Sequence, residues 1–111
     1  MESSENPKSG KEKKMKINMG LDNIQLYVGC NVQEVGGRLT LITPPEEAAN
    51  IIGRNAQKIV QEIPANDRKA VVLTGPMAVW AYLIVFHAVL HAFGEVWYDD
   101  GRANKVLISK H

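Results

Sequence analysis

The sequence predicts a single small α/β domain of Rossmann-like type, with its elements in the order β-β-α-β-α-β-β. Three observations support this prediction. Two segments carry apolar residues at helical spacing. A short run rich in β-branched residues (69–73, KAVVL) lies between them. Segments in which apolar and polar residues alternate lie before the first of these helices and after the second. A chain of 111 residues with 45% hydrophobic content supplies one core, because a second domain would have too little apolar surface to bury.

Residues 1–16 are predicted to form a disordered leader, and residues 17–111 the folded domain. Up to Lys14 the leader has no apolar residue after Met1. Serine, glutamate, lysine, proline and glycine cannot bury enough apolar surface to offset chain entropy. Its lysines are interspersed with acidic residues, so we interpret it as a solvated tail rather than a phosphate-binding arm.

Residues 23–28 (NIQLYV) and 38–42 (RLTLI) alternate as half-buried strands do, and Gly36 and Gly37 provide a turn between them. The pattern therefore predicts a hairpin. Thr43 is the expected N-cap of the first helix, since two prolines and two glutamates follow it. Pro64 is expected to end that helix.

In the second half, residues 69–73 are predicted to form a central strand buried on both faces. A Thr-Gly-Pro turn leads into a second helix at 77–92 that is apolar on almost all sides. Such a helix must be covered by the sheet or by another subunit. Residues 95–98 and 105–109 form the last two strands.

Composition excludes several classes of protein. Thirteen basic residues oppose twelve acidic ones, so the chain lacks the general positive field of a nucleic-acid coat protein. Cys30 is the only cysteine, which excludes an internal disulfide and a Cys-rich zinc module. No apolar signal segment follows Met1, so a cytoplasmic location is predicted. A membrane span at 77–93 is disfavoured, since the run is shorter than about 20 residues and contains two histidines.

Thr74, Gly75 and Pro76 lie where the buried strand meets the N-terminus of the second helix. Anionic and nucleotide ligands bind at this position in open α/β sheets, and glycine permits close approach to the backbone. A tight β-α turn explains the same residues equally well. No Walker-type or dinucleotide-binding glycine motif is present, so ATPase and dehydrogenase functions lack support.

His87 and His91 stand four residues apart, which places both rings on one helical face. Ala88 follows His87 where a zinc protease would have glutamate, so that mechanism is excluded. His87 lies deeper in the apolar run and is expected to be a hydrogen-bonded core residue. His91 lies in the last turn near solvent and is the better candidate for a proton donor, a metal ligand or a phosphate contact.

Asp99, Asp100 and Arg102 follow the penultimate strand. Neighbouring carboxylates suit Mg²⁺ or Mn²⁺, and an arginine suits a phosphate oxygen. Aspartate, glycine and asparagine are also ordinary turn residues, and from spacing alone an exposed turn is favoured.

The strand between His91 and Asp99 should span roughly 17 to 20 Å, so one chain cannot easily bring the two side chains together. Regular pairing of the last hairpin should fold His111 back towards His91, with Asp99 and Arg102 at the far end. A joint site of His91 and Asp99 then requires two subunits.

One stretch of the chain combines a Gly-Pro that opens a helix containing Trp80, two histidines four apart, and Tyr98-Asp99 eight residues after the second histidine. This pattern, with Arg102 and His111 beyond it, resembles the Csx-three family, which comprises CRISPR-associated accessory proteins of type III systems described as ring nucleases. The resemblance covers about the last third of the chain.

The resemblance implies a Rossmann-like fold and a dimer or larger oligomer that binds cyclic tetra-adenylate. It also implies Mn²⁺-dependent phosphodiester cleavage, or deadenylation of RNA 3′ ends. By matching position, His91, Asp99 and Arg102 would be catalytic, and Asp99 and His111 would bind the metal. The family has Asp-Pro-Arg where this chain has Asp99-Asp100-Gly101-Arg102, which shifts the arginine by one position. A non-catalytic oligoadenylate sensor and an oligomeric scaffold without enzymatic activity are the alternatives.

Overall fold

The computed structural model describes residues 14–111, which contain six strands, three helices and one short 3₁₀ segment. In chain order these are β1 (Met15–Asn18), α1 (Ile24–Tyr27), β2 (Val32–Val35), β3 (Arg38–Leu41), α2 (Pro45–Gln61), the 3₁₀ segment (Ala65–Asp67), β4 (Ala70–Thr74), α3 (Val79–Leu90), β5 (Glu95–Asp99) and β6 (Lys105–Lys110).

The main sheet has four strands in the order β1-β4-β5-β6. Strands β1, β4 and β5 are parallel, and β6 runs antiparallel to β5. The prediction of a small α/β domain is confirmed, with a mixed sheet. All of β4 except its last residue is buried, as expected for a central strand.

Helices α2 and α3 connect the parallel strands and pack against each other on one face of the sheet. Right-handed crossovers that advance in the same direction along a sheet place their helices on the same side. Each helix buries one stripe of small and branched side chains in the common core. The buried residues of the two helices are Ala48, Ile52, Ala56, Val60, Ala81, Val85 and Val89.

The predicted strand at 23–28 is wrong, because residues 24–27 form helix α1. The side chain of Asn23 caps this helix by accepting a hydrogen bond from the Leu26 N–H, 3.3 Å away. At the other end, Asn55 of α2 donates to two carbonyls of this turn, those of Leu26 and Val28. The alternating pattern was misleading, since Leu26 is buried whereas Ile24 is 81% exposed.

Strand β1 corrects the predicted leader, because Met15 and Lys16 are paired residues of the sheet. The segment buries Ile17 and hydrogen-bonds to β4, contacts that a short Lys-flanked sequence does not reveal. The rest of the predicted leader, residues 1–13, lies outside the described residues. The predicted element order is therefore replaced by β-α-β-β-α-β-α-β-β.

The hairpin turn at Gly36 and Gly37 is confirmed, with φ angles of 60° and 81° that suit a two-residue turn. The partner of residues 38–41 is β2 rather than residues 23–28. Thr43 is not the N-cap of α2, because Pro44 occupies that position. Instead, the Thr43 hydroxyl accepts a hydrogen bond from the Asn31 N–H at the base of the hairpin.

Helix α3 has 12 residues and is shorter than the predicted segment 77–92. Within residues 14–111, no helix is both long enough and apolar enough to span a bilayer.

Candidate functional site

Three parallel strands end at one edge of the sheet and bring polar residues together. Asn18, Thr74 and Asp99 are the last residues of β1, β4 and β5, and they are aligned in register. Thr74 and Asp99 were predicted site residues, whereas Asn18 was not, because no strand was predicted at residues 15–18. Ligands of open α/β sheets bind at this edge, so we treat these residues as the first cluster of the candidate site.

The turn after β4 is packed tightly around Gly75, whose φ is +115°. A Cβ atom at Gly75 would lie 2.6 Å from Oδ1 of Asn18 and 3.0 Å from the backbone nitrogen of Gly20. Oδ1 of Asn18 is held in place because it accepts a hydrogen bond from the Gly20 N–H. These contacts explain why a glycine is needed in this tight β-α turn. Ligand binding by Gly75 and Pro76 stays a prediction.

Tyr82 of α3 supports this turn from the helix side, because its hydroxyl donates a hydrogen bond to the Gly75 carbonyl. Its ring meets Tyr98 edge to face at 5.4 Å. Burial, with smaller contributions from Tyr98 and Asp99, raises the pKa of Tyr82 to about 12. Tyr82 was not predicted, and its position in an apolar helix gave no signal of a polar contact with the turn.

Asp100 is a structural residue of the β5–β6 loop. Its carboxylate accepts hydrogen bonds from the N–H groups of Arg102 and Asn104 and from the Asn104 side chain. The side-chain bond from Asn104, followed by the Arg102 N–H, lowers the pKa of Asp100. Asp99 uses one carboxylate oxygen to accept from the Gly101 N–H, 2.9 Å away. The loop therefore has the hydrogen bonding of an exposed turn, with Arg102 exposed on it.

A second cluster lies at the opposite end of β5, where His91 and His111 meet. Their ring centroids are 6.4 Å apart, and the ring planes differ by 26°. The His111 N–H donates to the Gly94 carbonyl, which completes the pairing of the last hairpin. Nε2 of His111 donates to the Leu90 carbonyl, since a carbonyl can only accept. The predicted return of His111 towards His91 is confirmed.

His87 is not a core residue, which corrects the prediction made from its position in the apolar run. It is exposed and lines a shallow depression between α2 and α3 with Gly53 and Gln57. The buried stripe of α3 consists of Ala81, Val85 and Val89, and His87 faces away from it.

The two clusters are separated by the length of β5. Five residues at about 3.3 Å per residue place the ends of this strand roughly 13 to 17 Å apart. His91 lies beside His111, and Asp99 lies beside Thr74. The two pairs are at opposite ends of β5 and do not contact each other within one chain. Within residues 14–111, no group of three or more His, Cys, Asp or Glu side chains could hold a metal ion. The described donors of one chain therefore do not form a Mn²⁺ site by themselves.

Comparison of the chain with models of protein families, with curated proteins and with solved structures gives no match. The resemblance carried by residues 75–111 therefore stays a proposal.

Proposed function

We propose that this protein is a CRISPR-associated phosphodiesterase that cleaves cyclic tetra-adenylate or shortens RNA 3′ ends, with an active site shared by two copies of the chain. The observation that best supports the proposal is the placement of the two clusters. His91 and His111 lie at one end of β5, and Asp99 lies at the other end with the turn at Thr74 and Gly75. His91 and Asp99 of one chain are too far apart to act on one phosphodiester, so a joint site requires His91 from one copy and Asp99 from another.

Each cluster has a distinct role in this proposal. His91 is exposed at the C-terminus of α3, so it can reach a bound phosphodiester and donate a proton to the leaving oxygen. His111 is oriented by its bond to the Leu90 carbonyl. Arg102 would neutralise charge on the phosphate, and the turn from Thr74 to Pro76 would contact the ligand backbone next to Asp99.

Mn²⁺ is part of the activity that the family resemblance implies, with Asp99 of one copy and His111 of another as ligands. We assign no catalytic step to the ion, because the described donors of one chain do not form a site for it.

A Rossmann-like fold and a cytoplasmic location also belong to the proposal. Three parallel strands joined by helical crossovers support the fold, although both crossover helices lie on one face of the sheet rather than on both.

Incubation of the full chain with cyclic tetra-adenylate, with and without Mn²⁺, tests the activity by chromatography of the products. We expect linear oligoadenylates, and we expect Asp99→Ala to reduce the rate by at least about 100-fold. Asp67→Ala, which changes an exposed aspartate of the 3₁₀ segment, is the matched control and should keep the rate. Intact cyclic ligand after incubation with folded protein in both conditions would refute cleavage of cyclic tetra-adenylate. Full activity of Asp99→Ala would refute the site.

A non-catalytic oligoadenylate sensor is the second candidate function. It is favoured by the loop after β5, in which Asp100 is fully engaged in turn hydrogen bonds. Calorimetric binding of the cyclic ligand without any product would distinguish this sensor from the enzyme.

A further inference from the structure

The main sheet has two faces, and the described helices cover only one of them. Helices α1, α2 and α3 and the β2–β3 hairpin all contribute side chains to the common core on one face. That core takes Val71 and Leu73 from β4 and Val96 from β5, so the residues between them point to the other face. Among residues 14–111, no helix packs over this second face, which we call the open face.

The open face consists of three rows of side chains that cross the sheet. The register of the strands places in the central row Lys16, Val72, Trp97 and Leu107. The row at the carboxyl edge of the parallel strands contains Asn18, Thr74, Asp99 and Lys105. The row at the other edge contains Ala70, Glu95 and Lys110. Trp97 and Asp99 therefore lie two residues apart on the same face, at a spacing of about 7 Å.

Trp97 occupies the centre of the open face and is half-buried. Its indole N–H donates to a carboxylate oxygen of Glu95, 2.9 Å away, and the ammonium of Lys14 lies 4.3 Å from the centre of its ring. Strand β4 lies between β1 and β5, so the side chains of Lys14 and Trp97 meet above β4. This contact explains why Ala70 and Val72 are only 6% and 3% exposed although no described helix covers them.

Positive charges outnumber negative charges on the open face. Four lysines belong to it: Lys14, Lys16, Lys105 and Lys110. Its two carboxylates are those of Glu95 and Asp99, and each already accepts a hydrogen bond, from the Trp97 indole and from the Gly101 N–H respectively. The chain as a whole carries a net charge of only +1, so the open face is a local basic patch.

We propose that the open face binds single-stranded nucleic acid, with a base stacked on Trp97 and backbone phosphates paired with the surrounding lysines. A single strand alternates flat rings with anionic phosphates, which matches an indole placed between ammonium groups. A base stacks on an aromatic ring more strongly than an exposed ammonium does, so the base displaces Lys14, which then pairs with a phosphate. The inference does not rest on cleavage, although a strand on this face reaches Asp99.

Other partners fit the open face less well. A duplex keeps its bases stacked inside and offers no ring to Trp97. An acidic peptide supplies charge but leaves the indole without a stacking partner. A lipid surface needs a larger apolar area, whereas Trp97 and Leu107 are the accessible apolar side chains that the described residues place on this face.

Fluorescence polarisation of a short labelled oligouridylate, titrated with the full chain in EDTA, tests the inference. Stacking tolerates any base, and uridylate lies outside the proposed oligoadenylate ligands, so failure here is distinct from failure of the proposed function. We expect saturable binding, weakened about tenfold or more by Trp97→Leu. Lys16→Gln should lower the slope of log affinity against log salt concentration by about 0.7. Lys58→Gln, an exposed lysine of α2 on the helical side, is the matched control and should change neither quantity.

Circular dichroism checks that each variant is folded. If Trp97→Leu unfolds, Trp80→Phe leaves Trp97 as the only tryptophan, and its fluorescence should be quenched by the bound strand. Absence of saturable binding at low salt would overturn the inference, as would wild-type affinity in folded Trp97→Leu, unquenched Trp97 fluorescence or an equal loss in Lys58→Gln. Polyglutamate that competes as well as unlabelled oligouridylate would also overturn it, because the open face would then recognise charge alone.

Discussion

A methyl group at Gly75 would be too close to neighbouring atoms, because its Cβ would lie 2.6 Å from the Asn18 side chain and 3.1 Å from the backbone nitrogen of Met19. The φ of +115° adds backbone strain. We therefore expect Gly75→Ala to lower the free energy of unfolding by about 3 kcal/mol or more, measured by urea denaturation.

Gly101→Ala is a control that separates the close contacts of an added Cβ from the backbone strain of a positive φ. Gly101 also has a positive φ, of +79°, but its Cβ would meet nothing within 4 Å. This control should lose only about 1 kcal/mol. Equal losses at Gly75 and Gly101 would show that the contact with Asn18 does not constrain the turn.

Ionisation of Tyr82 makes the stability of the protein depend on pH in the alkaline range. Its pKa is about 12 in the folded protein and 10 as an ordinary tyrosine, so between these values the folded state holds a proton that the unfolded state releases. This contribution is complete below pH 10 and is lost as the pH rises towards 12. Unfolding free energies measured across this range should therefore fall less steeply for Tyr82→Phe than for the wild type. Parallel slopes would contradict the assignment.

At individual residues, sequence reasoning succeeded where strand geometry alone decides position. The length of β5 separates Asp99 from His91, and antiparallel pairing returns His111 to His91. The prediction for His87 was wrong, because the rotation of α3 about its own axis decides which side chains are buried. Sequence reasoning missed Asn18, since the pairing of β1 with β4 is a contact between residues distant in sequence.

Among the elements, α2 and α1 offer a matched comparison of buried and exposed isoleucine. Ile52 is fully buried in α2, whereas Ile24 is 81% exposed in α1. We expect Ile52→Ala to cost about 3 kcal/mol of unfolding free energy and Ile24→Ala less than about 0.5 kcal/mol. Denaturant titration of both variants measures the difference, and a small loss at Ile52 would contradict the packing of α2 in the common core.

The β5–β6 loop depends on the carboxylate of Asp100, which accepts from the backbone N–H groups of Arg102 and Asn104. Replacement by alanine should increase the hydrogen-exchange rates of these two amides, measured by NMR. Asp100→Asn keeps one accepting oxygen and should have a smaller effect. Unchanged protection in Asp100→Ala would show that the loop is ordered by other contacts.

The elements after residue 69 were predicted closely because each has a strong local signal. Strand β4 is a β-branched run, and α3, β5 and β6 are separated by glycine-containing turns. Before β4, the hairpin turn, β3 and α2 were predicted, whereas β1 and α1 were not, because these two elements depend on contacts distant in sequence. Helix α1 relies on hydrogen bonds from Asn55, and β1 relies on β4.

For the whole molecule, hydropathy predicted that the helix at 77–92 is covered on most sides, whereas Val79 and Leu83 of α3 are 73% and 61% exposed. The sequence did not indicate that both crossover helices occupy one face, since strand order is set by long-range pairing. Among residues 14–111, no further strand pairs with the outer edge of β6, and the two polar clusters lie at opposite ends of β5. The proposed function therefore depends on whether two copies of the chain associate.

Mixing two inactive variants tests the shared site most directly. In a two-fold dimer with two shared sites, a mixed dimer of His91→Ala and Asp99→Ala chains has one intact site and one site lacking both groups. Equal mixing with free exchange should restore about a quarter of the wild-type rate of cyclic tetra-adenylate cleavage. No restoration, despite exchange demonstrated by mass spectrometry, would contradict the account, because it would show that each site uses His91 and Asp99 from a single chain.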